Sequence, residues 1–194
     1  RTNTYQSMGS RMIFTQTPLA GAFIITPDLI EDERGFFARI FCRREFEANG
    51  LNPNLVQCNI SFNKQKGTLR GMHYQVAPHA EVKLVRCTAG AIYDVIIDLR
   101  AESPTFKQWF GTELTAENRR MLYVPEGFAH GFQTLTDNVE LIYQHSAFYS
   151  AGHERGIRFD DPALNISWPL SVSIISERDQ NYPIIDSNFR GIGV

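Results

Sequence analysis

Several things are scarce in this 194-residue chain, and each scarcity closes a class of function. No apolar run approaches the ~20 residues a membrane-spanning helix needs, and no hydrophobic stretch of the kind a leader requires stands near the first residues. Neither sign of charge dominates: 19 Lys and Arg face 21 Asp and Glu, a net charge of −2. The chain therefore lacks the basic excess of a nucleic-acid or membrane-surface binder, and an anionic ligand would have to be held by a local cluster. Cysteine is sparse and odd in number, at Cys42, Cys58 and Cys87, with no C-x-x-C spacing. That excludes a disulfide framework and points to a reducing, cytoplasmic setting. No glycine-rich phosphate loop precedes a helical pattern, and no internal repeat of 20–50 residues is visible. The length suits one domain with a substantial core.

What is plentiful is aromatic side chain, 14 Phe and 7 Tyr, which favours strands. Short strand-like segments recur with turn residues between them. Ala22–Thr26 is one, and Asp32-Glu33-Arg34-Gly35 is a charged turn into an aromatic strand. Asn54–Phe62 is another, and Gly90–Leu99 is apolar enough to be buried on both faces. Further strands are expected at Lys107–Leu114 and Arg120–Val124; Pro125–Phe132 turns tightly into another, and Val139–Tyr149 is the last long one. Arg44–Asn49, closed by Gly50, reads as one short helix. The pattern predicts an all-β antiparallel sandwich or barrel with few short helices. Residues 1–11 are polar and patternless, and we read them as a disordered upstream remnant before a natural start at Met12. The rest, 12–194, reads as a single domain whose irregular tail beyond Tyr149 wraps the barrel or a partner.

The chemistry concentrates in Thr68-Leu69-Arg70-Gly71-Met72-His73-Tyr74-Gln75 and Val82-Lys83-Leu84-Val85-Arg86, read as a hairpin across the turn at residues 77–80. Strict alternation sends His73 to one face with Leu69 and Gly71, and Arg70 with Met72 and Tyr74 to the other. A His and a Lys on adjacent apolar strands suit proton transfer beside a fixed positive charge. The bland alternative is a packed His and a snorkelling Lys. A base near neutrality, a cation for enolate charge and an acid to return the proton would make a carbon-acid site. His73, Lys83 and Tyr143 fit those parts, with an unidentified carboxylate fixing the His tautomer. A phosphate could be held by guanidinium and ammonium groups from Arg34, Arg70, Lys83 and Arg119. Pro125-Glu126-Gly127-Phe128-Ala129-His130 resembles the second metal motif of double-stranded β-helix (cupin) proteins. The first motif fails, because Gln75 puts an amide where a His belongs, so the spacing supports the barrel more than a metal.

Six blocks, Asp32-Glu33-Arg34-Gly35-Phe36-Phe37, Leu69–Gln75, Lys83–Arg86, Glu102-Ser103-Pro104-Thr105, Val124–Phe132 and Asp160-Asp161-Pro162, together resemble the dTDP-4-dehydrorhamnose 3,5-epimerase family. The resemblance runs from Met12 to about Asp186. It implies a cupin-type jelly-roll barrel without metal or cofactor, working as a homodimer on a nucleotide-linked 4-keto-6-deoxyhexose. By position it implies His73 as base, Asp179 as its carboxylate partner, Tyr143 as acid and Lys83 beside the enolate. It assigns Arg34, Phe37, Gln57, Asn59, Arg70, His130 and Arg178 to the substrate cleft, Arg34 reaching across the dimer. Three positions depart from the family's usual residues: Arg39 in place of Glu, Cys58 in place of an acid, and His145 in place of a small residue. Arg39 bears on the nucleobase. A single-site epimerase, a 3,4-ketoisomerase, a non-catalytic sugar-nucleotide-binding cupin and a metal-dependent oxygenase are the rival readings.

Overall fold

A computed structural model describes residues 11–194 of the chain. The expectation of a disordered remnant falls, for residues 1–10, outside the described residues. Arg11 already joins the fold, its carbonyl accepting the Asp28 amide at 2.9 Å.

Two antiparallel sheets face one another. The first has six strands: β1 (Met12–Gln16), β2 (Phe23–Pro27), β5 (Gln57–Asn63), β7 (Lys83–Ala89), β10 (Met121–Val124) and β12 (Val139–His145). Their spatial order is β1-β2-β10-β7-β12-β5. The second holds β6 (Leu69–Gln75), β8 (Ala91–Asp98), β9 (Trp109–Thr115), β11 (Phe128–Thr134) and β13 (Glu154–Gly156), in the order β13-β6-β11-β8-β9. β3 (Leu29–Asp32) and β4 (Gly35–Ala38) pair only with each other, as a hairpin apart from both sheets. The helices are α1 (Arg43–Ala48) and α2 (Glu177–Gln180).

Alternation along the strands builds three apolar layers. Val85, Cys87, Leu122, Val124 and Leu141 of one sheet meet Ile92, Ile96, Leu114, Phe128 and Phe132 of the other between the sheets. On the outer face of the six-stranded sheet, Phe46 of α1 is fully buried against Ile25, Leu84, Met121 and Tyr123. The outer face of the five-stranded sheet, with Met72, Val95, Ile97 and Leu99, is covered by Ile157, Leu164 and Ile185 from beyond β13. β8 therefore buries residues on both faces, as its largely apolar run predicts. This is the cupin-type fold expected from the sequence.

Two local expectations need correction. β6 and β7 are not a hairpin: they belong to opposite sheets, so residues 76–82 cross from one to the other. The aromatic strand after Gly35, expected to run to Phe41, ends at Ala38, and the strand expected at Val139–Tyr149 ends at His145. Patterning marks a strand's face but carries no signal for where its hydrogen-bonded partner stops.

Candidate functional site

Side chains from both sheets line a cleft of about 620 Å³. Arg70, His73, His130 and Phe132 line it from the five-stranded sheet, and Lys83, Tyr143, His145, Gln57, Asn59 and Ser61 from the six-stranded one. That Arg70 and His73 share the cleft contradicts strict alternation. His130 pairs with His73 but Phe132 pairs with Arg70, so β6 spends one extra residue there, a β-bulge. Beyond the bulge the facing reverses, and Met72 turns outward while the two flanking polar side chains turn in. Gly71 makes this possible: its φ is +123°, and a Cβ would stand 2.5 Å from the Gly131 Cα.

His73 and Asp179 form the centre. His73 Nε2 lies 2.8 Å from Asp179 Oδ1, and Asp179 Oδ2 accepts the Gly71 amide at 3.0 Å. Asp179 is delivered by α2, whose N-cap Ser176 accepts the Asp179 amide through its hydroxyl at 3.1 Å. Burial works to raise the Asp179 carboxyl's pKa, but the hydrogen bond and charge of His73, the Gly71 amide and Arg178 outweigh it and hold the group below the usual carboxylate range. A carboxylate accepting from Nε2–H leaves Nδ1 as the basic nitrogen of His73. The Tyr182 ring packs edge-on against the imidazole, with centroids 5.7 Å apart.

From the opposite sheet, Lys83 sends its ammonium to the His73 carbonyl at 3.3 Å. A hairpin would have set these residues side by side; the sandwich sets them face to face. Tyr143 also stands in this wall. Burial pushes its phenol up to about 12, partly offset by a hydrogen bond from Ser61, so the hydroxyl keeps its proton at neutral pH.

A second imidazole–carboxylate pair lies deeper. His130 Nε2 is 2.7 Å from Oδ1 of Asp94, which is fully buried, and its ring stands edge-on to Tyr143 at 6.2 Å. Asp94 Oδ2 finds no partner among the described residues. Sequence reading missed Asp94, although an acid in the middle of the apolar run of β8 is a signal: a carboxylate buried in a sheet has to be bonded to something. Glu81 was missed too. It stands in the crossing segment, with no periodic pattern to mark it, and reaches both Lys83 and His145.

The remaining expected site residues divide. Gln57, Asn59, Arg70 and His130 line the cleft. Gln57 accepts the Tyr149 amide at 2.9 Å, and Arg70 donates to the Asn63 side-chain oxygen at 2.7 Å. Arg178 sits near the cleft's edge, paired with Glu154 at 3.0 Å. Arg34 and Phe37 stand on the exposed β3–β4 hairpin outside this chain's cleft, Arg34 bound to Asp32. Arg119 lies over the Phe36 ring, so of the four proposed phosphate ligands only Arg70 and Lys83 reach the cleft. Arg39 pairs with Glu45 of α1 at 2.8 Å. Cys58 is exposed, pointing away from its cleft-lining neighbours. Gln75, the residue that broke the metal motif, is a buried brace: its carbonyl accepts the Ser150 amide at 2.7 Å, and its amide donates to the His79 carbonyl at 2.9 Å. Among the described residues no three His, Cys, Asp or Glu side chains converge as an ion site.

Residues 16–187 match the family model described as dTDP-4-dehydrorhamnose 3,5-epimerase. The dTDP-4-dehydrorhamnose 3,5-epimerase of Shigella flexneri is 46% identical over 86% of this chain and 92% of its own length. The crystal structure of an enzyme with that name from Elizabethkingia anophelis superposes with a TM-score of 0.88 at 42% identity, covering 92% of this chain and 98% of the other. A Legionella pneumophila dTDP-6-deoxy-D-glucose-3,5-epimerase, solved in complex with dTDP-4-keto-L-rhamnose, gives 0.86 at 37% identity over 95% and 99% of the two chains.

Proposed function

The chain belongs to the dTDP-4-dehydrorhamnose 3,5-epimerase family, and from that premise we propose that it inverts C3 and C5 of dTDP-4-keto-6-deoxyglucose by proton transfer alone. It is an epimerase, an enzyme of the isomerase class. The observation that carries the site assignment is the His73–Asp179 pair on one wall of the cleft, facing Lys83 and Tyr143 on the other.

The C4 ketone acidifies the hydrogens on both neighbouring carbons. Nδ1 of His73 takes the proton, and Asp179 holds the ring and balances the imidazolium that forms. The Lys83 ammonium stands where charge develops on the C4 oxygen. Tyr143, its proton retained by burial, returns a proton from the opposite side, and delivery to the opposite face turns exchange into inversion. Every step moves a proton, so the reaction needs no redox cofactor. Gln57, Asn59, Arg70, His130 and Arg178 bind the sugar nucleotide. The enzyme works as a homodimer in which the β3–β4 hairpin carries Arg34 and Phe37 into the partner's cleft. Support for this comes from their position outside their own cleft and from the exposure of Phe36 and Phe37. We place it in the cytoplasm, where three unpaired cysteines, one of them exposed, persist. No helix among the described residues is long and apolar enough to cross a membrane.

Proton NMR of dTDP-4-keto-6-deoxyglucose incubated with the protein in D₂O tests the reading. Deuterium at both C3 and C5 with formation of the L-rhamno product is expected. Label at one carbon only would make the enzyme a single-site epimerase, and no exchange would refute the assignment.

A further inference from the structure

The cleft contains a carboxylate for which the proton-transfer scheme has no part. Glu81, at the end of the segment crossing between the sheets, is 9% exposed, with Oε1 3.3 Å from the Lys83 ammonium. Its Oε2 lies 3.0 Å from Nδ1 of His145. The segment is pinned beside it: the Val82 amide donates to the Ser146 hydroxyl at 2.7 Å, and the Ser146 amide returns to the Val82 carbonyl at 3.0 Å. Glu81 therefore lies in fixed contact with two cation-forming groups. Burial works to raise its pKa, yet the His145 hydrogen bond and the Lys83 charge prevail and hold it below the usual carboxylate range.

An ionised carboxylate here opposes the chemistry. It cancels the charge of the lysine set beside the developing enolate, in a pocket meant for an anionic substrate. The sum depends on the third member. With neutral His145 the Lys83–Glu81–His145 group carries no net charge; with His145 protonated it carries one positive charge. The other groups facing it are Tyr143 on its own strand, with ring centroids 6.1 Å apart, uncharged Gln57 opposite on β5, and Lys83 itself on β7. Arg70, His73, His130 and Glu154 line the far side of the cleft. Apart from Lys83, which holds the other oxygen, none of these bonds to Glu81.

Resting on the epimerase reading, we propose that His145 is a positioning residue for this reaction: protonated, it occupies Glu81 and frees the Lys83 charge for the enolate. The exchange rate then falls as His145 gives up its proton, an alkaline limb that belongs to a residue outside the proposed proton-transfer set.

The experiment compares kcat for C3 and C5 exchange in D₂O from about pH 6 to 9 in the wild type, Glu81→Gln and His145→Asn, and follows the His145 ring by NMR titration. One charge lost beside the enolate corresponds to roughly a tenfold fall in rate, which is the expected drop on the alkaline side of the wild type. Glu81→Gln leaves Lys83 unopposed and should abolish that drop. His145→Asn keeps a neutral donor for Glu81 but cannot take a proton, so it should be roughly tenfold slow even at the optimum. A packing role would slow both variants alike, which overturns the proposal and leaves the epimerase reading standing, as does an active wild type with a flat alkaline side. The ring titration needs no turnover: His145 should titrate at lower pH in Glu81→Gln, and an unmoved midpoint overturns the coupling whatever the activity. A wild type inactive on 4-keto sugar nucleotides would remove the reaction itself.

Discussion

Replacing Asp179 by Asn is the sharpest test of the dyad. The substitution keeps the volume and one acceptor oxygen but removes the charge and puts an NH₂ on the second position. Oδ1 now accepts from His73 Nε2 at 2.8 Å and Oδ2 from the Gly71 amide at 3.0 Å. The Asn side chain can satisfy only one of these with its oxygen. If the oxygen keeps Gly71, the NH₂ faces Nε2, which must become an acceptor, and the proton moves to Nδ1, the nitrogen that has to be basic. If the oxygen keeps His73, the NH₂ confronts the Gly71 N–H and a buried donor loses its partner. Either way the forming imidazolium loses an ionic partner, and a hydrogen bond to a charged group contributes about 1.5–3 kcal/mol. That alone is about 10- to 150-fold in kcat, and the blocked tautomer takes the expected loss to about 10³-fold. The assay is the initial rate of deuterium uptake at C3 and C5. Because the two residues act as one unit, His73→Asn/Asp179→Asn should be scarcely slower than His73→Asn. A single variant within about threefold of the wild type would refute the dyad as the source of the base, given that a lost ionic hydrogen bond alone predicts at least tenfold.

Tyr143→Phe should lower inversion by about 10²-fold, the usual scale of a lost general acid, while sparing deuterium uptake from the His73 side; equal losses in both would leave Tyr143 a packing residue. Gly71→Ala places a methyl 2.5 Å from Gly131 Cα and 2.8 Å from the His130 carbonyl at a φ of +123°. It should cost about 3 kcal/mol or more in urea unfolding, and a loss under 1 kcal/mol would contradict the close approach. Asp179 has a depressed folded-state pKa, so its contribution to stability is complete above its unfolded value near pH 4 and drains as the pH falls below it. The melting-temperature gap between wild type and Asp179→Asn should therefore shrink from pH 5 to pH 3, and a constant gap would show that the carboxylate is not held in its ionised form. Arg34→Ala should raise KM about fivefold or more with kcat nearly kept, as loss of one exposed guanidinium–phosphate contact implies; a monomeric mass by sedimentation would remove the reason to expect it.

What the sequence could and could not reveal follows from how locally each feature is encoded. The two faces of β8 and the short helix before Gly50 were readable because such periodicity is a local property of the chain. The assignment of β6 and β7 to opposite sheets was not, since the residues that cross between sheets carry no period. The facing of Arg70 failed for a smaller reason. One additional residue in β6 reverses parity, and the visible trace, Gly71 within the strand, is compatible with several backbone paths. Asp179 was reached through family resemblance, because no spacing rule ties residue 179 to residue 73. Asp94 could have been found from burial logic. Glu81, in the stretch taken for a turn, looked like an ordinary solvated charge.

The route by which Asp179 arrives also has a consequence in time. Among the described residues the strands are complete at Gly156, whereas the carboxylate bonded to His73 lies 23 residues further on. Because chains tend to fold from the N-terminal end as they are made, a nascent barrel can close around its cleft before the residue that arms it has been translated. Such an intermediate would own a finished pocket and an idle imidazole, able to hold a sugar nucleotide but not to turn it over. On the proposed roles, catalytic competence comes late in synthesis, once residues 176–180 dock against β6.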